Sequence, residues 1–356
     1  MLRLGQVHQP LPSEPHHPPI KKAEMSRKIL LCGGAGYIGS HMAQWLAAHG
    51  HRVTVLDNLS TGHAGAVHWG ELVRADLLEP ASLEQVFKTR RFDAVMHFCA
   101  RSLVGESVTR PYDYYANNVT GTLNLLEAMR RHDVNRLVFS STAAIFGNPV
   151  HDMIGEDHPQ EPINPYGASK LMAERFFVDA ARAYGLRSVA LRYFNAAGAL
   201  PEHGIGEAHA CETHLIPNVL RAALGGAPSL KVFGEDYATV DGTCVRDYVH
   251  VQDLAQAHAL ALDFMDRHPG AHAFNLGNGQ GFSVREVITA ASSIVGRSIP
   301  YDIAPRRAGD PASLVASSRK AREQLGWQPQ WTELEPIIES AWRWHRATPD
   351  WFPSQT

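Results

Sequence analysis

Tyr166 and Lys170 stand four residues apart in Asn164-Pro165-Tyr166-Gly167-Ala168-Ser169-Lys170. On a helix, positions i and i+4 share one face, which sets an ammonium beside a phenol. That charge is expected to lower the phenol pKa and favour a phenolate, a base able to take a proton from an alcohol. Ser140-Ser141-Thr142 supplies hydroxyls that can hydrogen-bond both the phenol and a substrate oxygen. Far upstream, Gly33-Gly34-Ala35-Gly36-Tyr37-Ile38-Gly39 spaces its glycines as G-x-x-G-x-x-G. Such a turn lets backbone approach a pyrophosphate, with the N–H groups of a following helix as donors. Asp57 follows about 20 residues on, where an acid accepts hydrogen bonds from an adenosine ribose diol. No arginine adjoins Asp57, which favours NAD over NADP. Asp76 closes a further apolar run and either caps a loop or holds the adenine edge. The combined chemistry is proton abstraction from an alcohol beside a hydride carrier.

Positioning these groups requires a scaffold, and the chain alternates short apolar runs with longer helical patterns. Strands are expected at 29–32, 52–57, 71–75, 94–98, 136–140 and 188–192, and helices at 40–49, 81–89, 115–132 and 165–184. Fully apolar strands alternating with helices imply a doubly wound, Rossmann-like α/β parallel sheet covered on both faces. After Asn195 the texture becomes loop-rich, with a helix at 216–224, a strand at 230–233 and helices at 251–267 and 283–295. The expected organisation is a proline-rich, disordered extension over 1–25, with Met25 as the expected start. An NAD-binding domain then spans 26–195, an interleaved substrate lobe 196–346, and a tail 347–356.

The 356 residues, 44% of them hydrophobic, can bury a sizeable core. A formal net charge of -3 gives no basis for a nucleic-acid partner or an acidic membrane surface. No apolar run is long enough to span a bilayer. Cys32, Cys99, Cys211 and Cys244 are scattered, which fits reduced thiols in a cytoplasmic protein better than a disulfide framework. His203, His209, Cys211, Glu212 and His214 could be read as metal ligands, but their spacing matches no regular zinc pattern, and no metal is expected.

The sequence resembles the extended short-chain dehydrogenase/reductases, and within them the UDP-glucose 4-epimerases, from residue 27 to about 345. The resemblance is carried by Gly33 to Ser40, Asp57-Asn58-Leu59, His97-Phe98, Asn117-Asn118-Val119, Ser140 to Thr142 and Tyr166 to Lys170. It continues in Arg192-Tyr193-Phe194-Asn195, Asp241 to Tyr248, and Arg306-Arg307 with Gly309-Asp310. It implies Tyr166, Lys170 and Thr142 as catalytic residues. It implies an NAD site formed by Gly33, Gly36, Tyr37, Ile38, Gly39, Asp57, Asn58, Asp76, Leu77, Phe98, Asn118, Ser140 and Lys170. A UDP-sugar would be held by Asn195, His214, Leu215, Phe233, Arg246, Arg307 and Asp310, together with Thr142 and Tyr166. Leu314 either borders the space beside the sugar's C2 substituent or packs ordinarily. Two departures are visible: Ser102 stands where some members have lysine, and His214 where some have asparagine. A homodimer is likewise implied.

The implied reaction is reversible inversion at C4 of a UDP-hexose through a 4-keto sugar. A nucleotide-sugar 4,6-dehydratase would need an acid and a base after Thr142, where Ala143-Ala144 stand instead. A 4-epimerase of another UDP-sugar (N-acetylhexosamine, pentose or uronate) and a non-catalytic NAD-binding scaffold are the alternatives.

Overall fold

The computed structural model describes residues 26–225, 229–307 and 310–348. The expected extension over 1–25 and nearly all of the expected tail lie outside the described residues.

Seven strands form the central sheet: β1 (Lys28–Cys32), β2 (Arg52–Asp57), β3 (Glu71–Arg74), β4 (Ala94–His97), β5 (Arg136–Thr142), β6 (Arg187–Tyr193) and β7 (Ala271–Leu276). Their order is β7-β6-β5-β4-β1-β2-β3, and every neighbouring pair is parallel. Successive side chains of a strand point to opposite faces, and both faces are apolar here. Ile29 and Leu31 feed a core with Met42, Leu46 and Leu254, while Leu30 and Cys32 feed another with Leu83, Phe87, Leu125 and Phe177. The strand order reverses between β1 and β4, which opens a ligand crevice at their carboxyl ends. The doubly wound sheet is therefore the fold expected from the sequence.

The first face is covered by α1 (Tyr37–Ala48) and the second by α2 (Pro80–Thr89), α3 (Gly121–Arg131) and α4 (Pro165–Tyr184). The helix expected over 115–132 is two pieces, because Tyr115–Thr120 is π-helical before α3 begins. The second lobe packs α5 (Leu215–Leu224), α7 (Val284–Val295) and α8 (Leu334–Ala347) through Val219, Leu220, Val287, Ile288, Ile337 and Ile338. Between α5 and α7 the chain returns to the sheet: α6 (Val251–Arg267) packs on its first face and β7 pairs with β6. Asp253 fastens the C-terminal segment to α6, accepting from the backbone N–H groups of Gln330 (2.8 Å) and Trp331 (2.9 Å).

Candidate active site

The glycine-rich turn leaves β1 at the crevice and is packed to the limit. Gly33 has φ +82°, and a Cβ there would stand 2.8 Å from the Cys99 backbone nitrogen. A Cβ on Gly39 would stand 2.1 Å from the Gly33 carbonyl oxygen, so α1 and the turn touch through backbone alone. Gly36 caps α1 without a side-chain hydrogen bond. The first N–H groups of α1 thus keep the donor capacity that an anionic diphosphate uses. Asp57, buried at the end of β2, accepts from the N–H groups of Ala35 (3.0 Å) and Leu59 (2.8 Å). Burial raises its pKa, and those two hydrogen bonds pull it back. Each carboxylate oxygen keeps a further lone pair for a ribose hydroxyl. Asn58 donates to Asp76 at 2.9 Å, which brings the expected adenine-side residues together. These features fit a dinucleotide.

The remaining expected cofactor residues take several positions. Phe98 follows β4 and packs on His258, with ring centroids 4.8 Å apart. Ile38 and Leu77 are core residues on opposite faces of the sheet. Tyr37 donates to the Gly198 carbonyl at 2.6 Å, bridging the turn to the chain after β6. Asn118 is buried in the π-helical stretch, where its amide clasps the Arg101 backbone (2.9 and 3.0 Å) and the Ser169 hydroxyl (3.0 Å). Single π turns often mark functional sites, and this one anchors the 98–103 segment to α4.

The expected catalytic trio converges at the carboxyl end of β5. Asn164 caps α4 by accepting from the Gly167 N–H at 2.8 Å, and Pro165 occupies the first turn. Tyr166 and Lys170 therefore share the face that α4 turns to β5. The Lys170 ammonium donates to the Ser140 carbonyl at 2.7 Å and lies 4.6 Å from the Phe139 ring centroid and 5.9 Å from that of Tyr166. Burial pushes Lys170 down to about 7. The expected lowering of the Tyr166 phenol does not occur within the chain alone. Burial raises its pKa, and a hydrogen bond with Thr142 offsets only part of that rise. The physical reason is desolvation of the phenolate, with the lysine engaged at a backbone carbonyl. Ser140 hydrogen-bonds the Tyr193 hydroxyl, and Thr142 accepts from the Ala144 N–H at 3.1 Å.

Sequence reasoning gave no role to the support beneath this trio. Glu174, one turn beyond Lys170 on α4, accepts from the Ser141 hydroxyl at 2.5 Å and pairs with Arg192 of β6 at 2.6 Å, all three buried. Glu174 follows Tyr166 and Lys170 at the same four-residue interval, a signal visible in the sequence.

Several of the expected sugar-nucleotide residues line up between the sheet and the second lobe. Arg246 pairs with Asp310 at 2.8 Å and donates to the Pro311 carbonyl at 3.0 Å. The Arg307 guanidinium lies 4.0 Å over the Phe233 ring centroid. Asn195 donates to the Asp247 carbonyl at 2.9 Å. Leu314 is opposite Arg246 in a parallel pairing and packs on the buried cluster of Ile145, Phe146 and Ile154. Leu215 opens α5 and His214 caps it, with His214 turned towards Glu207. Glu207, which went unread in the sequence, gathers with His209, Glu212 and His214.

The pattern of the NAD dependent epimerase/dehydratase family matches residues 29–277. A UDP-glucose 4-epimerase of Halalkalibacterium halodurans is 52% identical over 327 residues, covering 92% of this chain and 98% of the relative. A crystal structure of UDP-glucose 4-epimerase from Brucella ovis in complex with NAD is 48% identical with a TM-score of 0.87, covering 89% of this chain and 98% of that one. The enzyme from Bifidobacterium longum in complex with NAD+ and UDP is 37% identical, also with a TM-score of 0.87, covering 91% of this chain and all (100%) of that one. The glycine turn at β1, the acid ending β2 and the tyrosine-lysine pair facing β5 all fall inside the matched segment. The chain belongs to the NAD dependent epimerase/dehydratase family.

Proposed function

We propose that the chain interconverts UDP-glucose and UDP-galactose by reversible NAD-dependent inversion at C4. The observation that carries this reading is the convergence of Tyr166, Thr142 and Lys170 at the carboxyl end of β5, beside the glycine-lined crevice. Gly33, Gly36 and Gly39 with Asp57 would hold NAD, whose nicotinamide when bound supplies a reversible acceptor for the hydrogen on C4. Tyr166 takes the proton of the 4-hydroxyl as the C–H bond breaks, leaving a 4-keto sugar, and returns it to the oxygen when hydrogen comes back to C4. Thr142 orients that oxygen. Lys170, while protonated, supplies positive charge beside the phenol as it loses its proton. Arg246 and Arg307 would grip the diphosphate, since guanidinium forks match phosphate oxygens. The keto sugar can then turn over about its tether and present its other face. Asn195, His214, Leu215, Phe233, Asp310 and Leu314 would complete the pocket, within a lobe over 196–346 that is interleaved with a cofactor domain over 26–195.

Exposed Met172 on α4, with Val108, Tyr112 and Leu123 on helices that pack around it, supports a homodimer through this side. Four unpaired cysteines support a reducing, cytoplasmic setting. Among the described residues, no helix is long and apolar enough to cross a membrane. The test is incubation of purified protein with UDP-galactose, UDP-glucose, their N-acetyl counterparts, UDP-xylose and UDP-glucuronate, followed by chromatography. Conversion between the first two at the highest kcat/KM is expected, and turnover confined to any other sugar would overturn the assignment.

A further inference from the structure

The loop leading into α5 gathers four side chains that the C4 chemistry does not use as acid or base. The donor atoms of Glu207, His209, Glu212 and His214 all lie within 4.8 Å of one another. His209 Nδ1 is 3.3 Å from Glu207 Oε1 and 3.3 Å from Glu212 Oε2. His214 Nδ1 is 3.7 Å from Glu212 Oε1 and hydrogen-bonds Glu207. Ligands held at about 2.0–2.2 Å around a tetrahedral zinc ion stand about 3.3–3.6 Å from each other. Three edges of the cluster are already close to that length.

Charge points the same way. The Glu207 and Glu212 side chains are 5% and 0% exposed, so two carboxylates share a site withdrawn from water. Such a pair requires compensating positive charge. Protons can relieve it by charging an imidazole or by neutralising a carboxylate. A divalent cation supplies the same charge with both imidazoles neutral, and mixed imidazole-carboxylate donors suit zinc and its first-row neighbours. Four protein donors also close the coordination sphere, as in structural metal sites.

We propose that Glu207, His209, Glu212 and His214 bind one zinc-class divalent cation that clasps the segment between β6 and α5. His209 and Gly206 line a cleft together with Ala35, Gly36 and Tyr37 of the glycine-rich turn. His214 caps α5 of the second lobe. The ion therefore ties the wall of the dinucleotide crevice to the start of the lobe. Tyr37, His41 and His345 also feel the Glu207 charge, and Tyr37 that of Glu212 as well.

The experiment uses the full chain without a polyhistidine tag, dialysed against a mild chelator and then titrated with zinc or cobalt. Elemental analysis is expected to give about one equivalent per chain, and cobalt to give the visible bands of a tetrahedral ion. His209→Ala and the isosteric Glu212→Gln should each weaken binding at least about 100-fold, since even outer-shell changes cost 10–100-fold. Cys211→Ser should keep the ion. Chelation of wild type should lower Tm, and zinc should restore it. Wild type that is folded by circular dichroism yet takes up neither metal overturns the proposal. So does uptake that is undiminished in both ligand variants.

Discussion

At the scale of single residues, the chemistry rests on a phenol that is harder to ionise inside the chain than in water. Burial raises Tyr166, and Thr142 offsets part of the rise. Tyr166→Phe removes the proton acceptor and little volume, so kcat should fall by about 10²–10⁴-fold while UDP-sugar binding persists. Thr142→Ala should cost less, because the phenol remains; steady-state kinetics with a parallel binding assay separates the two effects. Lys170 carries a stability signature as well. Its folded pKa is about 7 against an ordinary 10.5. Between those values the unfolded chain holds a proton that the folded chain has released, so this group's contribution to stability rises with pH. Below pH 7 the native state bears the whole cost of the buried charge. Lys170→Met should therefore stabilise the protein by about 2–4 kcal/mol at pH 6, net of the lost hydrogen bond to Ser140. The gain should fade towards pH 10, and denaturant melts at both pH values check it. Leu314 packs on the cluster of Ile145, Phe146 and Ile154, and is paired opposite Arg246. If it borders the C2 substituent, UDP-galactose should be preferred over UDP-N-acetylgalactosamine, with overpacking by the acetyl group costing about 1–3 kcal/mol. Leu314→Ser should narrow that ratio of kcat/KM, and an unchanged ratio would reduce Leu314 to packing.

At the scale of elements, the glycine turn makes the sharpest prediction. Gly39→Ala places a methyl 2.1 Å from the Gly33 carbonyl, so backbone must move and the start of α1 must shift. Bound NAD should be lost and Tm should drop. Gly105→Ala, with open space around it, should leave both unchanged or slightly improved. Elements with local punctuation were legible in the sequence. α4 runs from Pro165 to Tyr184 as expected because Asn164 and Pro165 start it and Gly185, in the left-handed region at φ 70°, ends it. α8 was missed although Leu334, Ile337, Ile338, Ala341 and Trp344 recur at helical spacing. Pro336 suggests a break, yet it lies in the first turn, where its missing N–H costs nothing. β7 was missed because His272 and Asn275 interrupt its apolar run. Asn275 is buried all the same, donating to the Ile154 carbonyl at 2.9 Å. That partner lies 121 residues away, beyond the reach of local pattern.

At the scale of the whole molecule, the crevice is made where β1 and β4 part, and the proposed substrate residues come from segments far apart in sequence. Arg246 and Asp310 are 64 residues apart and form one ion pair. Tyr166, Lys170, Asp57 and the glycines could be read early because each belongs to a short motif. The Glu174-Arg192 pair and the joining of Glu207 to His209, Glu212 and His214 appear only once the chain is folded, although the Glu174 interval and the histidine-rich run were visible in the sequence. A cycle with no net redox change, in which the same hydrogen must return to C4, predicts that NAD copurifies. Denaturing the protein and analysing the supernatant should yield NAD, with little NADP. The most direct test uses UDP-galactose carrying deuterium at C4, incubated in ordinary water with no added nucleotide. If Tyr166 moves only the hydroxyl proton and the C4 hydrogen returns to the carbon it left, the UDP-glucose formed retains its deuterium at C4. Replacement of that deuterium by solvent hydrogen, or conversion that requires a continuous supply of fresh NAD, would contradict the account.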